Sequence, residues 1–190
     1  LRRQRIALRA HGADPIGEDE SNMSARLIAR LGYALTGAQR RVAGEVARDM
    51  AQPAPMLRLV QGDVGSGKTV VAALAALRAA AAGKQVALMA PTELLAEQHL
   101  SNFRAWLEPL GLRVAWLAGK VTGRARKQVL AEIAEGQAHV VIGTHALMQE
   151  GVAFRALGLA IIDEQHRFGV HQRLALRDKG LEGERVPHQL

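Results

Sequence analysis

Eight consecutive residues carry the clearest chemical signal in this chain. Gly62-Asp63-Val64-Gly65-Ser66-Gly67-Lys68-Thr69 fit the phosphate-loop pattern Gly-x-x-x-x-Gly-Lys-Ser/Thr. Glycines let backbone N–H groups turn inward around phosphate oxygens, and the N-terminus of a following helix adds its positive dipole end. Lys68 would then reach the β- and γ-phosphates, and the Thr69 hydroxyl would ligate Mg²⁺. The loop therefore predicts that residues 62–69 bind ATP together with Mg²⁺.

Two adjacent carboxylates supply the second half of this chemistry. Asp163 and Glu164 directly follow the apolar run Leu159–Ile162. With a phosphate loop in the same chain, Asp163 would hold Mg²⁺, directly or through water, and Glu164 would orient and polarise an attacking water. Neighbouring side chains at a strand end point in different directions, which suits two different roles. Lys68, Asp163 and Glu164 are thus predicted to be catalytic, and Thr69 and Asp163 to be metal-binding.

The elements that must position these residues alternate between strands and helices. Apolar runs predict strands over residues 56–61, 85–90, 112–118, 139–144 and 159–164. Amphipathic or Ala-rich stretches between them predict helices, with Thr92 as a helix cap and Gly83 and Gly136 as helix ends. This alternation favours a parallel sheet covered by helices on both faces, an α/β fold. Ligands of such sheets bind at the carboxyl ends of the strands, where the Gly- and Thr-rich turns of this chain fall.

Composition narrows the class of protein further. The chain has 190 residues and no cysteine, which excludes a disulfide framework and thiolate metal sites and suits a reducing cytoplasm. The net charge of +7 is compatible with a polyanionic partner. Aromatic residues make up only 3%, which argues against recognition by rows of stacking rings. No apolar run approaches the ~18 residues that span a bilayer, and the histidines do not show the spacing of a zinc site.

The first 34 residues differ from the rest. We expect residues 1–34 to be the tail of an upstream domain and a linker, with a short helix over residues 24–31 capped by Ser24. Residues 35–190 would form the α/β lobe. A helix over the stretch from Leu35 to Met50 is predicted by apolar residues at spacing four.

The motifs together resemble the motors of superfamily 2 helicases. Asp163-Glu164-Gln165-His166 is a D-E-x-H box, and Leu35–Gln39 resembles the Q motif, in which Gln39 would read adenine. Ala90–His99 resembles motif Ia, and Gly143–Leu147 resembles motif Ib. Within this superfamily the combination is most similar to the RecG family of branched-DNA helicases. The resemblance implies a RecA-like P-loop NTPase lobe and a catalytic His166 between the nucleotide and the DNA-coupling elements.

The same resemblance, with the strand-end positions, predicts where DNA would be held. A translocating motor grips the sugar–phosphate backbone without reading sequence, so small and hydroxyl-bearing residues at strand ends suit it. The predicted nucleic-acid-binding residues are Pro91, Thr92, Gly119, Lys120, Gly143, Thr144 and His145.

The predicted function is an ATP-dependent DNA helicase that moves on branched or forked DNA in repair, recombination and stalled-fork processing. We expect a second motor lobe and an upstream wedge domain to lie outside these 190 residues, with the S/T-A-T motif beyond residue 190. The isolated lobe would then be nearly inactive. Two alternatives remain open: a translocase that couples transcription to repair, and a P-loop ATPase switch that does not act on nucleic acid.

Overall fold

A computed structural model describes residues 12–19, 21–63, 65–164 and 186–190. The helices within these ranges are α1 (Met23–Arg30), α2 (Gly37–Met50), α3 (Lys68–Ala81), α4 (Glu93–Leu107) and α5 (Gly123–Ala134). The strands are β1 (Gln85–Met89), β2 (Val114–Leu117), β3 (Val140–Gly143), β4 (Leu157–Ile162) and β5 (His188–Gln189). Short 3₁₀ turns cover Glu108–Leu110 and His145–Met148.

The described strands form one parallel sheet in the order β2-β3-β1-β4-β5. β1 pairs with β3 on one side and β4 on the other. Parallel strands need long crossovers: α4 connects β1 to β2, and α5 connects β2 to its neighbour β3. The predicted α/β class with a parallel sheet is therefore confirmed, and the carboxyl ends of the strands lie along a single edge.

Alternate residues of the strands pack into two hydrophobic cores, which lie on opposite faces of the sheet. Val86 and Leu88 of β1 pack into the core that contains α1 to α4, with Phe103 and Leu107 fully buried. Ala87 and Met89 pack into the second core, which includes residues of α5 and the 3₁₀ turn after β3. A strand buried on both faces reads as a continuous apolar run, which is why these strands show no alternation in the sequence.

Several helix ends follow the sequence prediction. The Thr92 hydroxyl accepts a hydrogen bond from the Leu95 backbone N–H and so caps α4. Gly83 follows the end of α3 with a φ of 74°, and Gly136 follows α5 with a φ of 76°. These positive values suit glycine, which has no Cβ to oppose them.

Two local predictions were wrong. Residues 56–61 form no regular strand: Leu57 makes a single parallel bridge to Gln189. Their described partner, β5, is only two residues long, and the pairing consists of the Arg58 N–H bond to the Gln189 carbonyl and the Gln189 N–H bond to the Met56 carbonyl. Ser24 does not cap α1; Asn22 holds the cap position, and the Ser24 N–H donates to Oδ2 of Asp19 at 2.5 Å. A carboxylate from the preceding segment therefore neutralises this helix start.

The segment before α1 packs onto the lobe. Ile16 is fully buried in the core and Ala13 is nearly so. Asp14 forms an ion pair with Lys84, and the Ile16 N–H donates to the Met50 carbonyl at 2.8 Å. The part of the predicted linker from residue 12 onward thus lies against the lobe, while the boundary at residue 34 stays a prediction. None of the helices in the described ranges combines the length and apolar character that crossing a bilayer requires.

Candidate nucleotide and nucleic-acid site

The predicted site residues come together because their loops follow neighbouring strands. Thr144 comes directly after β3 and Asp163 directly after β4. Pro91 is the second residue after β1. The Asp163 N–H donates to the Met89 carbonyl and the Ala90 N–H to the Gly143 carbonyl, each near 3 Å. These bonds extend the sheet ladder just past its regular strands and bring the three loops side by side.

The phosphate loop closes around its own lysine. Lys68 Nζ donates to the carbonyls of Gly62 at 2.5 Å and Asp63 at 3.0 Å. Lys68 is also the first residue of α3, so its ammonium lies within the loop at the positive end of the helix. Thr69 occupies the first turn of the same helix.

Two glycines of this loop cannot be replaced without movement. Gly67 has a φ of 79°, and a Cβ there would lie 2.0 Å from Nε2 of Gln39. A Cβ on Gly62 would lie 2.6 Å from Oγ of Ser66. Glycine at position 67 therefore suits the backbone conformation, and a larger residue at either position would displace the Gln39 or Ser66 side chain.

Gln39 joins the start of α2 to the phosphate loop. Its Oε1 accepts from the Thr36 N–H at 2.9 Å, completing a capping box with the Thr36 hydroxyl. Its Nε2 donates to the Ser66 carbonyl at 3.0 Å. The amide still has one hydrogen and one lone pair to offer a base. Gln39 thus touches the loop, and its role in reading adenine stays a prediction.

Asp163 has a partner that the sequence prediction missed. Oδ2 of Asp163 lies 2.7 Å from Nε2 of His99, on α4. This hydrogen bond, with help from the positive charge of Lys68, keeps the pKa of Asp163 below its usual value although burial acts in the opposite direction. Asp163 is therefore an anion near the phosphate loop, as a metal-binding carboxylate must be. His99 falls inside the motif Ia resemblance, which was the only signal in the sequence.

Glu164 is held in an unusual backbone conformation. Its φ is 50°, in the left-handed region that residues other than glycine and asparagine rarely adopt. Its side chain is exposed, whereas Asp163 is partly buried. The two adjacent carboxylates therefore have different surroundings, as their different predicted roles require.

Six of the predicted DNA-binding residues lie at or just after strand ends and differ in exposure. The seventh, Lys120, is held in ion pairs. Thr144 is buried, and a Cβ on Gly143 would meet the Leu117 carbonyl oxygen at 1.8 Å. Pro91 is half-buried, and Thr92, His145 and Gly119 are exposed.

Lys120 is less available than the sequence suggested. Its ammonium forms ion pairs with Glu93 and Glu97 of α4 and lies 5.7 Å from the centre of the Trp116 ring. The hydrogen bond that Lys120 donates to the Glu97 carboxylate raises the pKa of Lys120 above its usual value. A DNA phosphate would have to compete with these carboxylates. The spacing of Glu93 and Glu97, one helical turn apart, was the available signal for such a pair.

Two predicted site residues, Val64 and His166, lie outside the described residues.

The donor set fits a nucleotide with a divalent cation. A glycine-lined loop at a helix N-terminus and the Lys68 ammonium suit phosphate oxygens. The Thr69 hydroxyl and the ionised Asp163 are hard oxygen ligands of the kind that Mg²⁺ prefers.

Comparison with known families identifies the class. The DEAD/DEAH box helicase family matches residues 36–182. This match covers most of the chain, and the chain therefore belongs to the DEAD/DEAH box helicase family.

Individual relatives are more specific. The chain is 60% identical over 189 residues to the ATP-dependent DNA helicase RecG of Escherichia coli strain K12. It is 47% identical over 201 aligned residues to the RecG of Mycobacterium tuberculosis strain CDC 1551 / Oshkosh. Each alignment covers 97% of this chain and 27% of the relative. The chain thus spans about a quarter of the length of the relatives it matches.

Solved structures agree with this assignment. A structure of RecG bound to a three-way DNA junction superimposes with a TM-score of 0.82 at 42% identity, covering 99% of this chain and 24% of that one. A hypothetical ATP-dependent RNA helicase from Sulfolobus tokodaii gives 0.60 at 19% identity, covering 89% of this chain and 49% of that one, and shows the fold alone. The predicted RecA-like helicase lobe and the resemblance to the RecG family are confirmed.

Proposed function

We propose that this chain is the ATP-binding first motor lobe of a RecG-type helicase. The complete enzyme would couple ATP hydrolysis to movement on branched or forked DNA in repair, recombination and stalled-fork processing. The observation that carries this proposal is that Asp163, held by His99 of the motif Ia helix, lies within electrostatic reach of Lys68 in the phosphate loop. A nucleotide site is thereby linked directly to a helix whose N-terminal loop is predicted to hold DNA.

The residues divide the work as follows. Lys68 and the backbone of residues 62–69 would bind the β- and γ-phosphates, and Gln39 would contact the base. Thr69 and Asp163 would hold Mg²⁺, which when bound neutralises negative charge on the phosphates. Glu164 would orient the attacking water and accept its proton, with His166 relaying the state of this site to the DNA side.

DNA would bind across the strand ends. The exposed Thr92 and His145, with neighbouring backbone N–H groups, would contact phosphates and not base edges, whereas the buried Thr144 would contribute only through its backbone. The same strand-end regions include Pro91, Gly119, Lys120 and Gly143. Lys120 would contact DNA only after its ion pair with Glu97 breaks. Such binding by one lobe would be sequence-independent and would weaken with added salt.

The remaining parts of the machine would be supplied by the rest of a RecG-length protein. A second motor lobe would complete the ATP site with arginines, and a wedge domain would split the branched DNA. A missing arginine contact lowers phosphoryl transfer by about 10³-fold or more, so the lobe alone would hydrolyse ATP slowly. An enzyme of this kind would work in the cytoplasm, where bacterial chromosomes lie.

The proposal is tested with the complete gene product. ATP hydrolysis is measured with and without a synthetic fork for wild type, Lys68→Ala and the control Lys127→Ala, an exposed lysine on α5. We expect the fork to stimulate wild type and the control, and Lys68→Ala to lose about 10²-fold or more, because a preorganised cation is removed from the phosphates. Hydrolysis indifferent to any DNA would favour the switch alternative. Stimulation that depends on stalled RNA polymerase would favour the transcription-coupled one.

A further inference from the structure

The contact between His99 and Asp163 joins two partly buried side chains. The His99 side chain is 15% exposed and that of Asp163 is 29% exposed. An ionised carboxylate can only accept hydrogen bonds, so Nε2 of His99 must carry the proton and donate it. The other ring nitrogen, Nδ1, also needs a hydrogen-bond partner.

Nδ1 of His99 is buried and has no hydrogen-bond partner among the residues that the structure describes. A buried polar atom without a partner is unfavourable, so apolar packing alone does not explain a histidine at this position. The polar contact that the described residues show for this ring is the one between Nε2 and Asp163.

Outer groups that hydrogen-bond to metal ligands fix their orientation and tune their affinity. His99 stands in that relation to Asp163, which is the predicted Mg²⁺ carboxylate.

We propose that His99 is a positioning residue that orients the Asp163 carboxylate for Mg²⁺ through its Nε2–H donor. This inference rests on the proposed function, because it concerns the same nucleotide site. It names a group on the motif Ia helix, and not on the phosphate loop or the D-E-x-H box, as a determinant of Mg²⁺ affinity.

The experiment compares three substitutions in the complete gene product. His99→Gln can place an amide N–H near the position of Nε2, His99→Asn is too short to do so, and His99→Leu removes the donor altogether. The control is Gln98→Ala, the exposed neighbour on α4. Mg²⁺ is titrated at saturating ATP with forked DNA present, and nucleotide affinity is measured separately in EDTA. Thermal unfolding checks that each variant is folded.

We expect His99→Leu and His99→Asn to need about 10- to 100-fold more Mg²⁺ for half-maximal hydrolysis, the range seen when outer partners of metal ligands are lost. Their rate at saturating Mg²⁺ and their metal-free nucleotide affinity should change far less. His99→Gln should restore most of the Mg²⁺ affinity, and Gln98→Ala should match wild type.

Equal Mg²⁺ requirements in wild type and a folded His99→Leu would overturn the inference. If His99→Leu does not fold, the contrast between Gln and Asn decides: equal Mg²⁺ requirements in those two would also overturn it. A wild-type protein that neither binds nor hydrolyses ATP with Mg²⁺ would overturn the proposed function, and this inference with it.

Discussion

The neighbouring residues Asp163 and Glu164 show how one strand end can hold two carboxylates in different environments. Asp163 is partly buried, hydrogen-bonded to His99 and kept ionised. Glu164 is exposed and has a positive φ. Proximity in sequence therefore does not make the two side chains interchangeable.

Substitution of each carboxylate by its amide tests this difference. Glu164→Gln should leave ATP and DNA binding nearly intact while hydrolysis collapses, since the amide keeps the shape but accepts no proton. Asp163→Asn should also weaken nucleotide binding in Mg²⁺, because a hard anionic ligand is lost. Rapid-quench turnover and nucleotide affinity are measured for both in the complete protein. Comparable loss of affinity in the two variants, or normal turnover by Glu164→Gln, would contradict the division of roles.

At the scale of elements, α4 connects several functions. Its cap, Thr92, belongs to a predicted DNA loop, and His99, two turns later, holds Asp163. Seven residues of helix span ~10 Å, so α4 acts as a short rigid link between the two. On the same helix Glu93 and Glu97 hold Lys120. A movement of α4 would therefore change both the metal carboxylate and the charge offered to DNA.

The junction of β3 with the end of β2 gives a test at this scale. Gly143→Ala would drive a Cβ into the Leu117 carbonyl oxygen, a backbone atom of the paired strand β2 that cannot step aside. We expect a loss of about 3 kcal/mol or more in the free energy of unfolding. Gly119→Ala, in the neighbouring predicted DNA loop, has nothing within 4 Å of the new Cβ and should change stability by less than about 0.5 kcal/mol. Urea denaturation measures both; equal stabilities would refute the close approach.

At the scale of the whole molecule, His188 forms hydrogen bonds to two segments that are far from it in the chain. Its Nδ1 accepts from the Met56 N–H at 3.0 Å, and its Nε2 donates to the Asp14 carbonyl at 3.0 Å. The residue is 1% exposed and belongs to β5. The segment before α1, the stretch before the phosphate loop and the edge of the sheet thus meet at one neutral imidazole.

The burial of the His188 imidazole predicts that the free energy of unfolding depends on pH. Burial lowers the pKa of His188 below its ordinary value of 6.5, and nearby Asp14 and Asp49 only partly oppose this. The unfolded chain therefore binds the proton first, so stability is fully present above pH 6.5 and falls as pH drops below it, by at most about 1.4 kcal/mol per pH unit.

His188→Asn checks the origin of this effect. The asparagine can keep an acceptor for the Met56 N–H but does not titrate. Chemical denaturation measures the free energy of unfolding at pH 7, 6 and 5. Wild type should have the larger value at pH 7, and the difference from His188→Asn should shrink toward pH 5. Parallel profiles for the two proteins would mean that other groups cause the pH dependence.

The sequence by itself determined the local features of this lobe. Residues 62–69, the apolar runs of β1 to β4 and the cap at Thr92 are each specified by a few neighbouring residues, because loop conformation, strand burial and capping are local or periodic effects. The parallel sheet also followed, since strands alternating with helices have few other solutions. The shared edge of the functional loops is a consequence of that topology.

The tertiary structure alone decided which side chains meet. His99 and Asp163 are 64 residues apart, and Met56 and His188 are 132 apart. Their contacts depend on the strand order, which puts β1 beside β4 and β5 at the edge. Periodicity specifies the face that a residue occupies but not its neighbour across strands, so these pairings, the ion pairs of Lys120 and the single bridge at Leu57 emerged only when the chain was folded.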